Sequence, residues 1–150
     1  MDAVTYPDEK IVTFVQENFI PLQVAHDTKP LSEDFNIKWT PTLITLGIDG
    51  REHHRTVGFL NPKEFIASGL LGLGKFHFDN DRYQEALNLL ENLISSHSES
   101  ENVAEAIFLR GVTRYKLSGE RRFLKDTYET LSSLYPDNEW TKRAHPYRLL

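Results

Sequence analysis

The sequence predicts an α/β half followed by an all-α half. Three observations carry that reading. Short β-rich runs separated by turn signals fill the chain up to about Asn61, and from there the apolar residues follow the helical period. Thr42-Leu43-Ile44-Thr45-Leu46, the turn Ile48-Asp49-Gly50 and the run Arg51 to Phe59 read as a β-hairpin. Asn61-Pro62-Lys63-Glu64 then combines an N-cap residue, a proline suited to the first helical position and an acid in the first turn.

In order along the chain, Pro7 with Asp8 and Glu9 opens a helix that places Ile11, Phe14, Val15 and Phe19 on one face. Ile20-Pro21-Leu22-Gln23-Val24-Ala25 alternates as a strand does, with its proline near the start. Lys29-Pro30 turns into a short helical stretch around Ser32–Asn36, and the hairpin follows. Beyond Asn61 the pattern predicts helices over Pro62–Phe78, Arg82–Ser95, a third reaching Leu117, and Arg121–Leu134, with a last turn near Trp140–Arg143. Asp81 with Gln84 and Ser98 with Glu101 are the expected caps of the second and third, and Ser118-Gly119 ends the third.

Composition narrows function. Hydrophobic residues make up 39% of the 150, enough for a core, and the net charge of −5 offers no basic field for phosphates. Nucleic acid and anionic membranes are therefore not expected as partners. No window approaches the ~18 apolar residues of a membrane span, and Met1-Asp2-Ala3-Val4 does not begin like a secretory signal, so a cytoplasmic location is expected. The 150 residues hold no cysteine, so they can supply no thiol nucleophile, disulfide or thiolate ligand.

Trp39-Thr40-Pro41-Thr42 leads into an apolar strand, an Asp-Gly turn and a second strand ending Val57-Gly58-Phe59. Together with Met1–Ile11 and Asn18-Phe19-Ile20-Pro21-Leu22, this run resembles the C-terminal part of the thioredoxin family over about residues 1–78. The resemblance implies a cis bond between Thr40 and Pro41 and a peptide-binding role for Trp39, Thr40, Pro41 and Thr42. It also implies a departure, because the Cys-x-x-Cys segment of the family has no counterpart here. Residues 1–60 are accordingly expected to form a truncated thioredoxin-like unit whose last helix continues to about 78. A central strand would be missing between the strand at 20–25 and the hairpin, leaving unpaired edges and an uncovered apolar face.

Residues 61–150 resemble a tetratricopeptide-like helical region. Leu73-Gly74, Tyr83 and Ala86 stand where that repeat places its small and aromatic residues, with Leu90 and Leu93 continuing the packed face. A second, degenerate unit runs from about Ala104 to Pro136 and includes Gly111, Tyr115, Phe123, Tyr128 and Leu131. The expected architecture is thus an incomplete thioredoxin-like α/β unit packed against a short antiparallel helical-repeat array.

Candidate chemistry is sparse. His53 and His54 are adjacent on a predicted strand, where neighbours point to opposite faces, so surface or cross-strand pairing is expected rather than a shared ion. His26, His77, His97 and His145 are scattered, and Asp79-Asn80-Asp81 reads as a helix break, not a calcium loop. Gly69, Gly72 and Gly74 lie inside a helical pattern and read as close-packing positions. Phe76, Phe78, Tyr83, Phe108 and Tyr115 read as core.

The sequence therefore predicts a non-catalytic protein-interaction or scaffolding module with no cofactor and no metal. Its partner would be a protein or peptide, with a homo-oligomer possible. Two alternatives stand beside it: a thiol–disulfide oxidoreductase whose Cys-x-x-Cys lies upstream of Met1, and a structural homodimer that repairs the sheet by exchange.

Overall fold

The structure, a computed structural model, describes all 150 residues. Helix α1 (Glu9–Asn18) and a single turn, α2 (Leu31–Asp34), precede the hairpin of β1 (Thr42–Leu46) and β2 (Glu52–Val57). Helices α3 (Pro62–Asp79), α4 (Tyr83–Ser96), α5 (Val103–Ser118), α6 (Arg122–Leu134) and α7 (Glu139–Ala144) follow, closed by a 3₁₀ turn over His145–Leu149. The chain is mostly helical with one two-stranded antiparallel sheet, in the α/β then all-α order that the sequence predicts.

Local chemistry sets most boundaries. The Asn61 side chain accepts the Glu64 N–H and Pro62 opens α3, while Gly119 ends α5 in the left-handed region at φ 74°. Two expected caps are corrected. Asp81 does not cap α4: it occupies the left-handed region at φ 59° and accepts a hydrogen bond from the Tyr83 hydroxyl, so it bends the chain between helices. Ser98 does not cap α5 either. Asn102, the residue before the helix, makes no side-chain cap, and Ser100 shapes the preceding turn, accepting the Asn102 N–H at 3.1 Å and donating to Glu64 Oε2 of α3 at 2.8 Å.

Successive helices from α3 onward pack on one another through short connections, which makes neighbours antiparallel. The glycines show how closely. A Cβ at Gly74 would meet Leu90, and one at Gly111 would meet Thr127. Gly74 and Gly111 stand 37 residues apart, as do Leu90 and Thr127, so the α3–α4 and α5–α6 pairs repeat one packing relation.

Helix α3 is the hub. Its three inner glycines serve three neighbours: Gly69 receives the Phe14 ring of α1, Gly72 receives Thr45 and His54 of the hairpin, and Gly74 receives Leu90 of α4. A Cβ at Gly69 or Gly72 would overlap its neighbour at 2.6 Å, whereas one at Gly74 would meet the Leu90 side chain at 3.1 Å.

The core sits almost wholly in the helices. Of the fourteen buried apolar residues only Ile11 precedes residue 61, whereas eleven of the fifteen exposed large apolar residues do. The hairpin packs one face on α3 and leaves the outer edge of each strand unpaired. The strand expected over 20–25 is corrected: the segment forms no ladder, and Ile20 and Leu22 are 99% and 80% exposed. Alternation becomes a strand only beside another strand, and β1 and β2 pair solely with each other.

Candidate functional site

The segment Trp39–Thr42 forms the entrance to β1. Thr42 Oγ1 donates to the Trp39 carbonyl at 2.6 Å, and the Pro41 carbonyl accepts the Gly58 N–H at 2.8 Å, so the turn is tied both to itself and to the end of β2. The Thr40–Pro41 bond is cis, as is Lys29–Pro30. Pro41 and Thr42 are half-buried, Thr40 is exposed, and the Trp39 ring is 74% exposed. Trp39 therefore fills no local gap. It stands three residues before β1, whose first residue, Thr42, pairs with exposed Val57 of β2; Phe59, two residues on, is exposed as well.

The two adjacent histidines overturn the strand rule. Thr45 pairs with His54 while Leu46 pairs with Glu52, so His53 is an extra residue bulged out of the ladder. The bulge turns both imidazoles toward α3. His53, 1% exposed at its side chain, meets Asp79 Oδ2 through Nδ1 at 2.6 Å and lies edge-on to Phe76. His54 Nε2 lies 2.9 Å from Ser68 Oγ, and its Nδ1 lies 3.2 Å from Lys75 Nζ. On the opposite face Arg55 pairs with Glu52 and donates to the Phe35 carbonyl at 2.9 Å.

Ser68 and Thr56 hydroxyls are 2.8 Å apart, and Lys75 pairs with Glu105 of α5, which joins hairpin, α3 and α5 in one polar array. Burial, and after it the Lys75 ammonium, push the His54 ring down to about 4, against a smaller opposing pull from Glu52. His54 is neutral at pH 7. Sequence reasoning missed this array because nothing in Glu52-His53-His54-Arg55 announces a bulge, and without it one of the two rings would face outward.

A cleft of about 420 Å³ opens where the N-termini of α3, α5 and α7 meet the end of β2. Glu64, Glu101, Glu105 and Glu139 line it together with Phe59 and Trp140. Glu64 is committed to Ser100 and Asn102, and Glu105 to Lys75, so half of its carboxylates serve to join helices.

The remaining sequence candidates separate. His26 is exposed, and His145 lies edge-on to Tyr128 beside an open depression of about 520 Å³. His77 stays partly buried, held below its ordinary value by burial and then by Arg82. No group of three or more His, Asp or Glu side chains is arranged to hold a metal ion. Phe76, Phe78, Tyr83, Phe108 and Tyr115 are half-buried, with Phe108 packed between Trp140 and Tyr147. No helix is long and apolar enough to cross a membrane.

No protein-family profile, curated protein or solved structure matches the chain.

Proposed function

We propose that this protein is a non-catalytic protein-interaction module that binds an extended segment of a partner protein along the free edge of β1, with Trp39 as the anchor. In this reading residues 1–60 are a thioredoxin-like remnant whose peptide-binding turn, Trp39–Thr42, has outlived the thiol chemistry. The helices from α3 onward are a tetratricopeptide-like platform that carries it.

One observation carries the proposal: the chain's exposed large apolar residues are concentrated in the half that has almost no core, and five of them, Trp39, Leu46, Ile48, Val57 and Phe59, lie in or next to a hairpin with both edges unpaired. A strand edge offers backbone donors and acceptors at regular spacing, and an added strand satisfies them while covering side chains on both sides. Trp39 supplies the large, rigid contact that such interfaces use as an anchor. The repeated 37-residue packing relation supports the platform half of the reading. With no cysteine among the 150 residues, none of them can perform thiol–disulfide exchange.

Selection from a displayed random dodecapeptide library tests the proposal. Enriched peptides should alternate apolar and polar residues, bind the wild type, and lose at least tenfold in affinity to Trp39→Ala at unchanged stability. Selection that yields no binders, or binders indifferent to Trp39, would overturn it. So would light scattering that shows a dimer whose interface already covers β1.

A further inference from the structure

The hairpin is fastened to the helices mainly through polar contacts with α3, and one of them depends on charge. A Lys ammonium can only donate, so the Lys75 contact at 3.2 Å requires His54 Nδ1 to accept. The ring proton then sits on Nε2 and is donated to Ser68 Oγ, and the Ser68 hydroxyl donates in turn to Thr56 Oγ1. The links from Lys75 to His54 and from His54 to Ser68 run one way, and the first of them exists only for a neutral ring. A proton on Nδ1 would place two cationic N–H groups face to face inside the layer between hairpin and helix.

We propose that His54 is an acid-released latch: the β1–β2 hairpin stays docked on α3 while the ring is neutral, and protonation lifts it off while the helices remain folded.

The groups facing His54 favour that outcome. From α3 come the Lys75 ammonium and the Ser68 hydroxyl, from β1 the uncharged Thr45, and from β2 the Glu52 carboxylate on the outer face. Glu105 of α5 holds the Lys75 ammonium in place, so it cannot swing away readily. One neighbouring contact opposes release: the His53 ring is held against the Asp79 carboxylate of α3 at 2.6 Å. Asp79 is 43% exposed at its side chain and Lys75 24%, so water screens the carboxylate more than the ammonium. Burial and Lys75 together hold the ring near 4, against about 6.5 for a histidine in water.

The main apolar core is built without the hairpin. Every member of the main apolar core lies between Ala67 and Ala144, with none from β1 or β2. The hairpin does depend on the helices, because an isolated two-stranded hairpin is marginal in water and loses its own ladder once it is lifted.

Amide hydrogen exchange of the whole chain from pH 7 to pH 3.5, corrected for intrinsic rates, tests the latch alongside NMR titration of the His54 ring. The difference in ring affinity for protons between docked and released states predicts that hairpin protection falls about 30-fold by pH 5 and about 300-fold at the acid limit. Amides of α4, α5 and α6 should hold their protection over the same range, and His54→Gln, which cannot charge, should remove the acid step. Three results would overturn the proposal: hairpin protection that stays flat while the ring titrates, hairpin and helix amides failing together, or an unchanged acid step in His54→Gln. Should that variant not fold, the wild-type comparison of hairpin against helix amides decides alone.

Discussion

Thr127 fills the space that a side chain at Gly111 would need. A Cβ there would lie 1.7 Å from Thr127 Oγ1 and 2.8 Å from its Cβ. Rotating the hydroxyl away leaves the second overlap in place, so α5 and α6 would have to separate. Gly111→Ala should therefore lower stability by about 2 kcal/mol, the overpacking cost outweighing the ~1 kcal/mol of helix propensity that alanine adds. At the corresponding Gly74 the nearest atoms are the flexible Leu90 tip at 3.1 and 3.2 Å, and Gly74→Ala should fall within about 1 kcal/mol of wild type. Urea unfolding of both variants checks the contrast, and equal losses would contradict it.

The burial of His54, with the Lys75 ammonium beside it, makes stability depend on pH in a defined direction. The folded ring binds protons more weakly than the unfolded one, so between roughly pH 4 and 6.5 the unfolded state holds more protons and stability falls as pH is lowered through that window. The full effect of this one group is about 3 kcal/mol, complete below the folded value and absent above the unfolded one. Replacing Lys75 with Met should raise the His54 value while leaving it below 6.5, because burial is the larger cause. NMR titration of the ring measures this directly, and an unmoved value would exclude the ammonium as a cause.

The two tryptophans should behave oppositely. Trp140 packs on Phe108 at 5.1 Å between centroids with the Arg143 guanidinium 4.5 Å from its ring centre, and Trp140→Ala should cost about 3 kcal/mol. Trp39 supports nothing of that kind, and Trp39→Ala should stay within about 0.5 kcal/mol of wild type. In a Trp140→Phe background the remaining fluorescence should be quenched by acrylamide nearly as readily as free tryptophan. A protected signal would place Trp39 in an interface, such as a dimer.

Ile20 and Leu22 extend from an unpaired segment into water. Replacing both with Ser should leave unfolding unchanged within about 0.5 kcal/mol and reduce the binding of a hydrophobic dye such as ANS. Loss of stability in the double variant would show that the segment packs on something.

Much of the helical half was legible because its signals are local. Asn61-Pro62-Lys63-Glu64 starts α3 and Ser118-Gly119 ends α5, as each residue's own backbone chemistry requires. The close-packing role of Gly69, Gly72 and Gly74 was legible too, although not that each admits a different neighbour. Ser98 makes no cap because the turn before α5 is set by the bond from Ser100 to Glu64, 36 residues away.

The candidate peptide-binding turn divides in the same way. Its residues, Trp39 to Thr42, stand out only through a family resemblance, whereas the exposure of Trp39 and the unpaired edge of β1 follow from what does not pack there. The strand expected at 20–25 failed because a strand is a property of two segments, and alternation describes only one.

The sequence by itself determined where the helices run, that no thiol chemistry belongs to these residues, and that the two halves differ in kind. Only the tertiary structure decided that adjacent His53 and His54 face the same helix, that one of them stays neutral against Lys75, and that the apolar surface of the first half lies open. The physical reason is that propensity, capping and composition act within a few residues of chain. A bulge, a shifted proton affinity and an uncovered face arise only when distant segments meet or fail to meet.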